Sequence, residues 1–147
     1  MSNTAKKKEL AIITGPPGAG KLLFAYTQFP KRPFYCCYHY NKQWYAHSPH
    51  SACLLAYSPS KQAKQHWIKQ ANAAGFTPTL YSMHTPYDPA FTRMTNRPHA
   101  NDLYRELEDW YKHYRPHPEQ IDVVAPTLPP HKERELYATP ERLKDSI

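Results

Sequence analysis

Short apolar runs alternate with longer amphipathic stretches over most of this chain, and glycine or proline separates many of them. Short runs that are rich in β-branched and aromatic residues are typical of strands. They predict five strands, within residues 9–14, 32–40, 52–58, 77–84 and 121–126. The first of these, ELAIIT, is apolar at four consecutive positions and predicts a strand that is buried on both faces.

Helical spacing of apolar residues and helix-capping residues mark the stretches between these strands. Ser58 and Asp88 each precede a proline, which is the order expected at a capped first turn, and Pro30 and Pro98 end two of the stretches. The pattern predicts helices over residues 21–29, 58–75, 88–97 and 101–114. Alternating strands and helices favour an α/β fold with a mostly parallel sheet, which binds ligands at the carboxyl ends of its strands.

A glycine-rich motif joins the first strand to the first helix. Its sequence, GPPGAGK, matches the Walker A pattern G-x-x-x-x-G-K, and it holds three of the four glycines of the chain. Such glycines let successive backbone N–H groups point at a phosphate, the helix dipole adds partial positive charge, and the lysine supplies a full one. A plain strand-to-helix turn is the alternative. The motif predicts a nucleotide site formed by Gly15, Pro16, Pro17, Gly18, Ala19, Gly20, Lys21 and Leu22.

The residue after the motif lysine departs from the pattern. Walker A motifs normally continue with Ser or Thr, whose hydroxyl binds Mg²⁺, and this chain has Leu22. A leucine side chain offers no oxygen to a hard cation. The strands predicted over 32–40, 52–58 and 77–84 also end without a carboxylate. We therefore expect an intact anion pocket with an impaired magnesium site, and we assign no metal ligand.

Two arginines follow the fourth predicted strand. Arg93 and Arg97 are four residues apart, so they lie on one face of the predicted helix over 88–97. Arginine suits the charge that develops on a transferred phosphoryl group because its planar fork binds oxygens and stays ionised. The two side chains could close over a triphosphate, or they could form a solvated basic face that pairs with Glu106 and Glu108.

The composition favours an anionic partner. Nineteen Lys and Arg residues against twelve Asp and Glu residues give a net charge of +7, and 14% of the residues are aromatic. The segment YCCYHYNKQWY, residues 35–45, interleaves rings with basic residues. Single-stranded nucleic acid is bound by such stacking rings and positive charge, so nucleic acid is a second candidate partner.

The chain shows no feature of a membrane or secreted protein. No apolar run approaches the ~20 residues that span a bilayer, and the N-terminal stretch lacks a signal-peptide pattern. Three cysteines cannot all pair within one chain, which favours a reducing compartment. We therefore expect a cytoplasmic protein that does not contact a membrane; the sequence does not indicate its oligomeric state.

Two further groups of residues were weighed as sites. Cysteines and histidines are dense over residues 36–53, but their spacing matches no zinc motif and neighbours on a strand point to opposite faces. His84, at the end of the fourth predicted strand, could act as a general base near a nucleotide, or it could simply cap the strand. We expect buried cysteines and surface histidines in the first group, and a strand-capping role for His84.

The order of these features resembles the small P-loop kinase-type NTPases, which include polynucleotide kinase, zeta-toxin-type kinases and related phage and bacterial phosphotransferases. The resemblance covers residues 9–125 and rests on GPPGAGK and on the two arginines of TRMTNR. It implies a three-layer P-loop NTPase-like domain over residues 1–125, with a short helical lid, and a proline-rich, mobile tail over 126–147.

The resemblance also implies a function. It implies binding of ATP or GTP with Mg²⁺ as the accompanying cation. It also implies transfer of the γ-phosphate to a small-molecule or polynucleotide acceptor. Lys21, Arg93 and Arg97 would be the catalytic residues. Such kinases commonly carry an aspartate after the second strand that activates the acceptor, and residues 35–50 contain no acid. The alternative is a non-catalytic module that binds nucleotide or nucleic acid.

Overall fold

The computed structural model describes residues 8–36, 48–57, 59–95 and 100–124. Over these residues the chain alternates between strands and helices, as the sequence pattern predicts. The elements, in chain order, are β1 (Lys8–Thr14), α1 (Lys21–Gln28), β2 (Phe34–Cys36), β3 (Ala52–Ala56), α2 (Lys61–Ala73), β4 (Phe76–His84), α3 (Tyr87–Thr95), α4 (Ala100–His113) and β5 (Ile121–Val124).

The described strands form one parallel sheet in the order β2-β3-β1-β4-β5. The α/β prediction is confirmed, and the sheet is parallel throughout. Thr14, the last residue of β1, is in register with Ala56 of β3 on one side and with Ser82 of β4 on the other. The loops that follow β1, β3 and β4 therefore leave the sheet at one edge, with the glycine motif at its centre.

Helices cover both faces of the sheet, because β1 alternates its side chains between them. Leu10 and Ile12 pack with Ile68 of α2 in one core cluster. Ala11 and Ile13 pack in a second cluster, to which α1 contributes its own apolar face. The result is the three-layer arrangement that the alternating pattern predicts.

Two helix starts differ from the predicted ones. Helix α2 begins at Lys61, and its cap is Ser60, whose hydroxyl accepts a hydrogen bond from Ala63 N at 3.0 Å. Ser60 has the extended backbone that a cap requires, so it takes the role predicted for Ser58, which lies outside the described residues. Helix α3 begins at Tyr87, before the proline that was expected to start it.

Helices α3 and α4 pack against each other beyond the carboxyl edge of the sheet. Ala90, Met94 and Leu107 are fully buried between them. None of the helices in the described ranges is long and apolar enough to span a bilayer. The predicted tail over 126–147 lies outside the described residues.

Candidate functional site

The turn between β1 and α1 is formed by the glycine motif. Gly18 and Gly20 adopt positive φ angles of 79° and 88°, and Ala19 N donates to Pro16 O at 3.1 Å. No side chain of the described residues caps the first turn of α1, which starts directly after Gly20. Its first backbone N–H groups thus lack partners within the helix and lie at the positive end of the helix dipole, a combination that suits an anion.

Lys21 is folded over this loop. Its side chain is buried, and Nζ donates to Gly15 O at 2.7 Å and to Pro16 O at 3.2 Å. The ammonium is therefore held over the inner side of the loop rather than extended into solvent. The residues predicted as the nucleotide site, from Gly15 to Leu22, are all buried and lie together at the carboxyl end of β1.

Helix α3 lies directly on the loop. A Cβ atom placed on Gly18 would come within 2.1 Å of the carbonyl oxygen of Ala90, so only glycine allows this approach. Arg93, one turn further along α3, donates through Nη1 to Gly18 O at 3.4 Å. The structure thus brings Arg93 to the predicted site, and α3 holds the position predicted for a lid. Arg97, its predicted partner, lies outside the described residues.

The two positions that normally bind magnesium hold other side chains here. Leu22 is 4% exposed and packs in the core beneath α1, with Phe24 and Ala25. The chain leaves β3 at Tyr57, where a strand-end carboxylate is the usual second ligand. Neither position fits a hard cation, which takes oxygen ligands and prefers carboxylates.

Carboxylates reach this end of β3 from α4 instead. The Tyr57 hydroxyl donates to Asp109 Oδ2 at 2.7 Å, and it also lies 2.7 Å from the backbone oxygen of Glu106. The Glu106 side chain turns inward, and its Oε2 is shielded from solvent without a hydrogen-bond partner. Burial raises the pKa of the Glu106 carboxyl, while the nearby charge of Lys21 opposes that rise.

A cavity of about 460 Å³ opens on the other side of the loop, between the ends of β4 and β5 and helix α4. Thr85 forms its inner wall, and the Thr85 hydroxyl donates to Ala19 O at 3.3 Å. Tyr111 donates from its hydroxyl to Thr85 O, which fixes α4 against the same segment. The cavity is lined by His84, Thr85, Pro86, Trp110, Tyr111, Tyr114 and Val124.

His84 is a paired residue at the rim of this cavity. Its Nε2 lies 2.7 Å from Asp122 Oδ1, and its ring packs edge-on against Tyr114. Hydrogen bonds from His84 and Gln120 hold the pKa of Asp122 below its usual value. His84 was expected at a strand end, and there it pairs with Asp122. Its ring also adds a polar group to the otherwise mainly aromatic wall of the cavity.

The other predicted groups do not gather into a site in the described residues. Cys53 is buried in β3, where burial raises its thiol pKa to about 12, so it is an inert core residue. Within the described ranges no three His, Cys, Asp or Glu side chains are placed to hold a metal. Most of the aromatic segment predicted to contact nucleic acid, from residue 37 to 45, lies outside those ranges.

The sequence analysis considered Glu106 only as a possible partner of the two arginines. In the structure it lies beside Tyr57 at the end of β3. The apolar face of α4 carries Leu103, Leu107 and Trp110, and Glu106 falls on that same face by helical spacing. A carboxylate on an apolar helix face is costly unless it meets a charge or a hydrogen-bond donor. That position was the available indication that Glu106 points to a polar site.

Comparisons with known proteins agree with this architecture. No protein-family model matches the chain, and no curated protein matches it either. Among solved structures, the chain resembles the crystal structure of a "putative kinase" from Chloroflexus aurantiacus J-10-fl, with a TM-score of 0.54 and 13% sequence identity. The match covers 97% of this chain and 100% of that one. At this identity the likeness establishes the fold alone.

Proposed function

We propose that this chain binds a nucleoside triphosphate, ATP or GTP, and that it acts as a phosphotransferase. The observation that carries the proposal is the loop at Gly15–Lys21. It places left-handed glycines, the uncapped start of α1 and a buried ammonium around one point at the carboxyl edge of a parallel sheet. Each of these features attracts a polyphosphate, and parallel α/β sheets bind their ligands at this edge.

The side chains around the loop have distinct roles in this proposal. Lys21 would exchange its contacts with the loop carbonyls for the β- and γ-phosphate oxygens. Arg93 already reaches Gly18 O and would stabilise the charge that develops on the transferred group. Because α3 lies on Gly18, entry of the triphosphate requires α3 to lift, which makes this helix a lid.

The cavity beside the loop suits the nucleobase. It has aromatic walls and one polar pair, His84 with Asp122, and Thr85 connects it to the loop. Cavities of this size and polarity commonly hold a planar ligand that is fixed by a few polar contacts. A base stacked there would leave its phosphates directed at the N terminus of α1.

The direct test is Lys21→Ala. Removing the ammonium that is folded over the loop should weaken ATP binding at least about tenfold, because charge-assisted hydrogen bonds to phosphate are lost. Calorimetric titration with ATP and with tripolyphosphate measures the effect. Lys69→Ala is the matched control, since Lys69 is exposed on α2. Equal ATP affinity in the wild type and the Lys21→Ala variant would refute the proposal.

The nucleobase assignment has a separate test. Trp110 lines the cavity and is 4% exposed, so a base that stacks there should quench its fluorescence, whereas tripolyphosphate should not. Trp110→Phe should abolish the response to ATP, and Trp67→Phe, on α2, should preserve it. Quenching that survives in the Trp110→Phe variant would place the base outside this cavity.

The alternative function is a non-catalytic nucleotide-binding module. It is favoured by Leu22, whose side chain packs in the core, and by Tyr57 where a strand-end acid is usual. The dependence of nucleotide affinity on Mg²⁺ separates the two functions. Affinity that ignores the cation supports the module, and affinity that requires it supports the phosphotransferase.

A further inference from the structure

We propose that Glu106 of α4 is the protein ligand for the magnesium ion that accompanies the polyphosphate, in place of the missing Walker A hydroxyl and strand-end carboxylate. The inference rests on the proposed function, because the cation arrives with the nucleotide. It assigns cation binding to α4, because the side chains of Leu22 and Tyr57 are unsuited to bind Mg²⁺.

Two packing relations and one electrostatic interaction bring Glu106 near the loop. Its backbone oxygen lies 2.7 Å from the Tyr57 hydroxyl at the carboxyl end of β3, the strand next to β1. Its neighbour Leu107 is fully buried in one cluster with Ala90, the residue that lies on Gly18. The Glu106 carboxyl also feels the charge of Lys21. These contacts bring α4 to the same edge of the sheet as the phosphate loop.

The burial and hydrogen bonding of the Glu106 carboxylate indicate what it could bind. Oε2 is shielded from solvent and has no hydrogen-bond partner, while other polar atoms nearby, such as the Tyr57 hydroxyl and Asp109 Oδ2, are paired. A buried carboxylate oxygen without a partner is costly unless a cation or a donor completes it. Its position therefore predicts a ligand that the described residues do not provide.

Charge decides which ligand fits. A carboxylate next to a bound triphosphate repels it, and Lys21 and Arg93 together carry two positive charges against several negative ones. A divalent cation between the phosphate oxygens and Glu106 removes that repulsion. Magnesium is commonly bound in this way, by one or two carboxylates with phosphate oxygens and water. One protein ligand at Glu106 is sufficient for such a site.

The test compares ATP affinity in EDTA with ATP affinity in Mg²⁺ for the full chain and two variants. Glu106→Gln neutralises the proposed ligand and keeps its shape. Glu108→Gln is the matched control, because Glu108 is an exposed carboxylate on the same helix that accepts from the Tyr87 hydroxyl. In the wild type and in Glu108→Gln, Mg²⁺ should tighten ATP binding about tenfold.

In Glu106→Gln that tenfold gain should disappear, while the affinity in EDTA should equal or exceed that of the wild type because a repulsive charge is gone. Binding in EDTA also shows that the variant is folded. A gain from Mg²⁺ that survives in Glu106→Gln would overturn this inference alone. A gain that is absent from the wild type would overturn this inference and would also favour the non-catalytic module over the phosphotransferase. Loss of ATP binding by Glu106→Gln in both conditions would overturn it too, by making Glu106 a structural residue of the loop. Wild-type protein that binds no ATP in either condition would instead refute the proposed function.

Discussion

Replacing Gly18 by alanine is expected to destabilise the fold by about 2–5 kcal/mol. Two costs combine at this position. Gly18 has a φ of +79°, where an L side chain is strained, and its Cβ would come within 2.1 Å of Ala90 O. Backbone oxygen cannot rotate away as a side chain could, so either the loop or α3 must move. The cost therefore falls on the contact between the glycine motif and α3.

Gly75 provides the matched control for this prediction. It has a φ of +89°, but a Cβ there would meet nothing within 4 Å. Gly75→Ala should therefore cost only the backbone strain, about 1–2 kcal/mol. Urea unfolding of both variants measures the difference, which is the cost of the clash. Equal destabilisation of the two variants would show that α3 does not pack on Gly18 in solution.

The sequence was most informative where one local pattern determines the structure. The apolar run of β1, the glycine motif and the helix after it follow from residues that are adjacent in the chain. Their conformation depends on local backbone preferences and on burial in a parallel sheet. For that reason the α/β fold and the clustering of the motif residues could be predicted from the sequence.

The rest of the site depends on residues that are distant in sequence. Gly18 and Ala90 meet because α3 folds back over the sheet edge, and Glu106 lies beside Tyr57 at the end of β3 because α4 packs on α3. Neither contact has a local sequence pattern. The cap of α2 at Ser60 could not be singled out either, since Ser58 and Ser60 are equally good capping residues by type.

Lys64 packs against two of the aromatic residues that line the cavity. This α2 lysine is fully buried, and Nζ donates to Arg115 O at 2.7 Å. The same ammonium lies 4.3 Å from the ring centre of Tyr114 and 5.5 Å from that of Trp110, both of which line the cavity. Arg115 N in turn donates to Pro59 O at 2.8 Å. Lys64 therefore ties the end of α4 to the start of α2.

Lys64→Ala should destabilise the fold by about 2–4 kcal/mol, since it removes buried methylenes and leaves the Arg115 carbonyl without its donor. Lys61→Ala, on the exposed first turn of the same helix, should stay within about 0.5 kcal/mol of the wild type. Urea unfolding at neutral pH measures both. The Trp110 fluorescence response to ATP should also weaken in Lys64→Ala, because the ring loses its support. A Lys64→Ala variant as stable as the wild type would show that the lysine is not buried.

The pH dependence of stability separates the charge of Lys64 from its packing. Burial lowers the pKa of Lys64 from 10.5 to about 8, although the charge of Asp122 opposes the shift. Between these pH values the unfolded chain retains the proton that the folded chain releases. The free energy of unfolding should therefore rise with pH in this window, by up to about 1.4 kcal/mol per pH unit from this group. Lys64→Met keeps most of the buried volume and should lose that contribution, whereas Lys69→Met should retain it. The same slope in Lys64→Met and in the wild type would mean that Lys64 titrates as an exposed lysine, and that the cavity wall is not built on a buried charge.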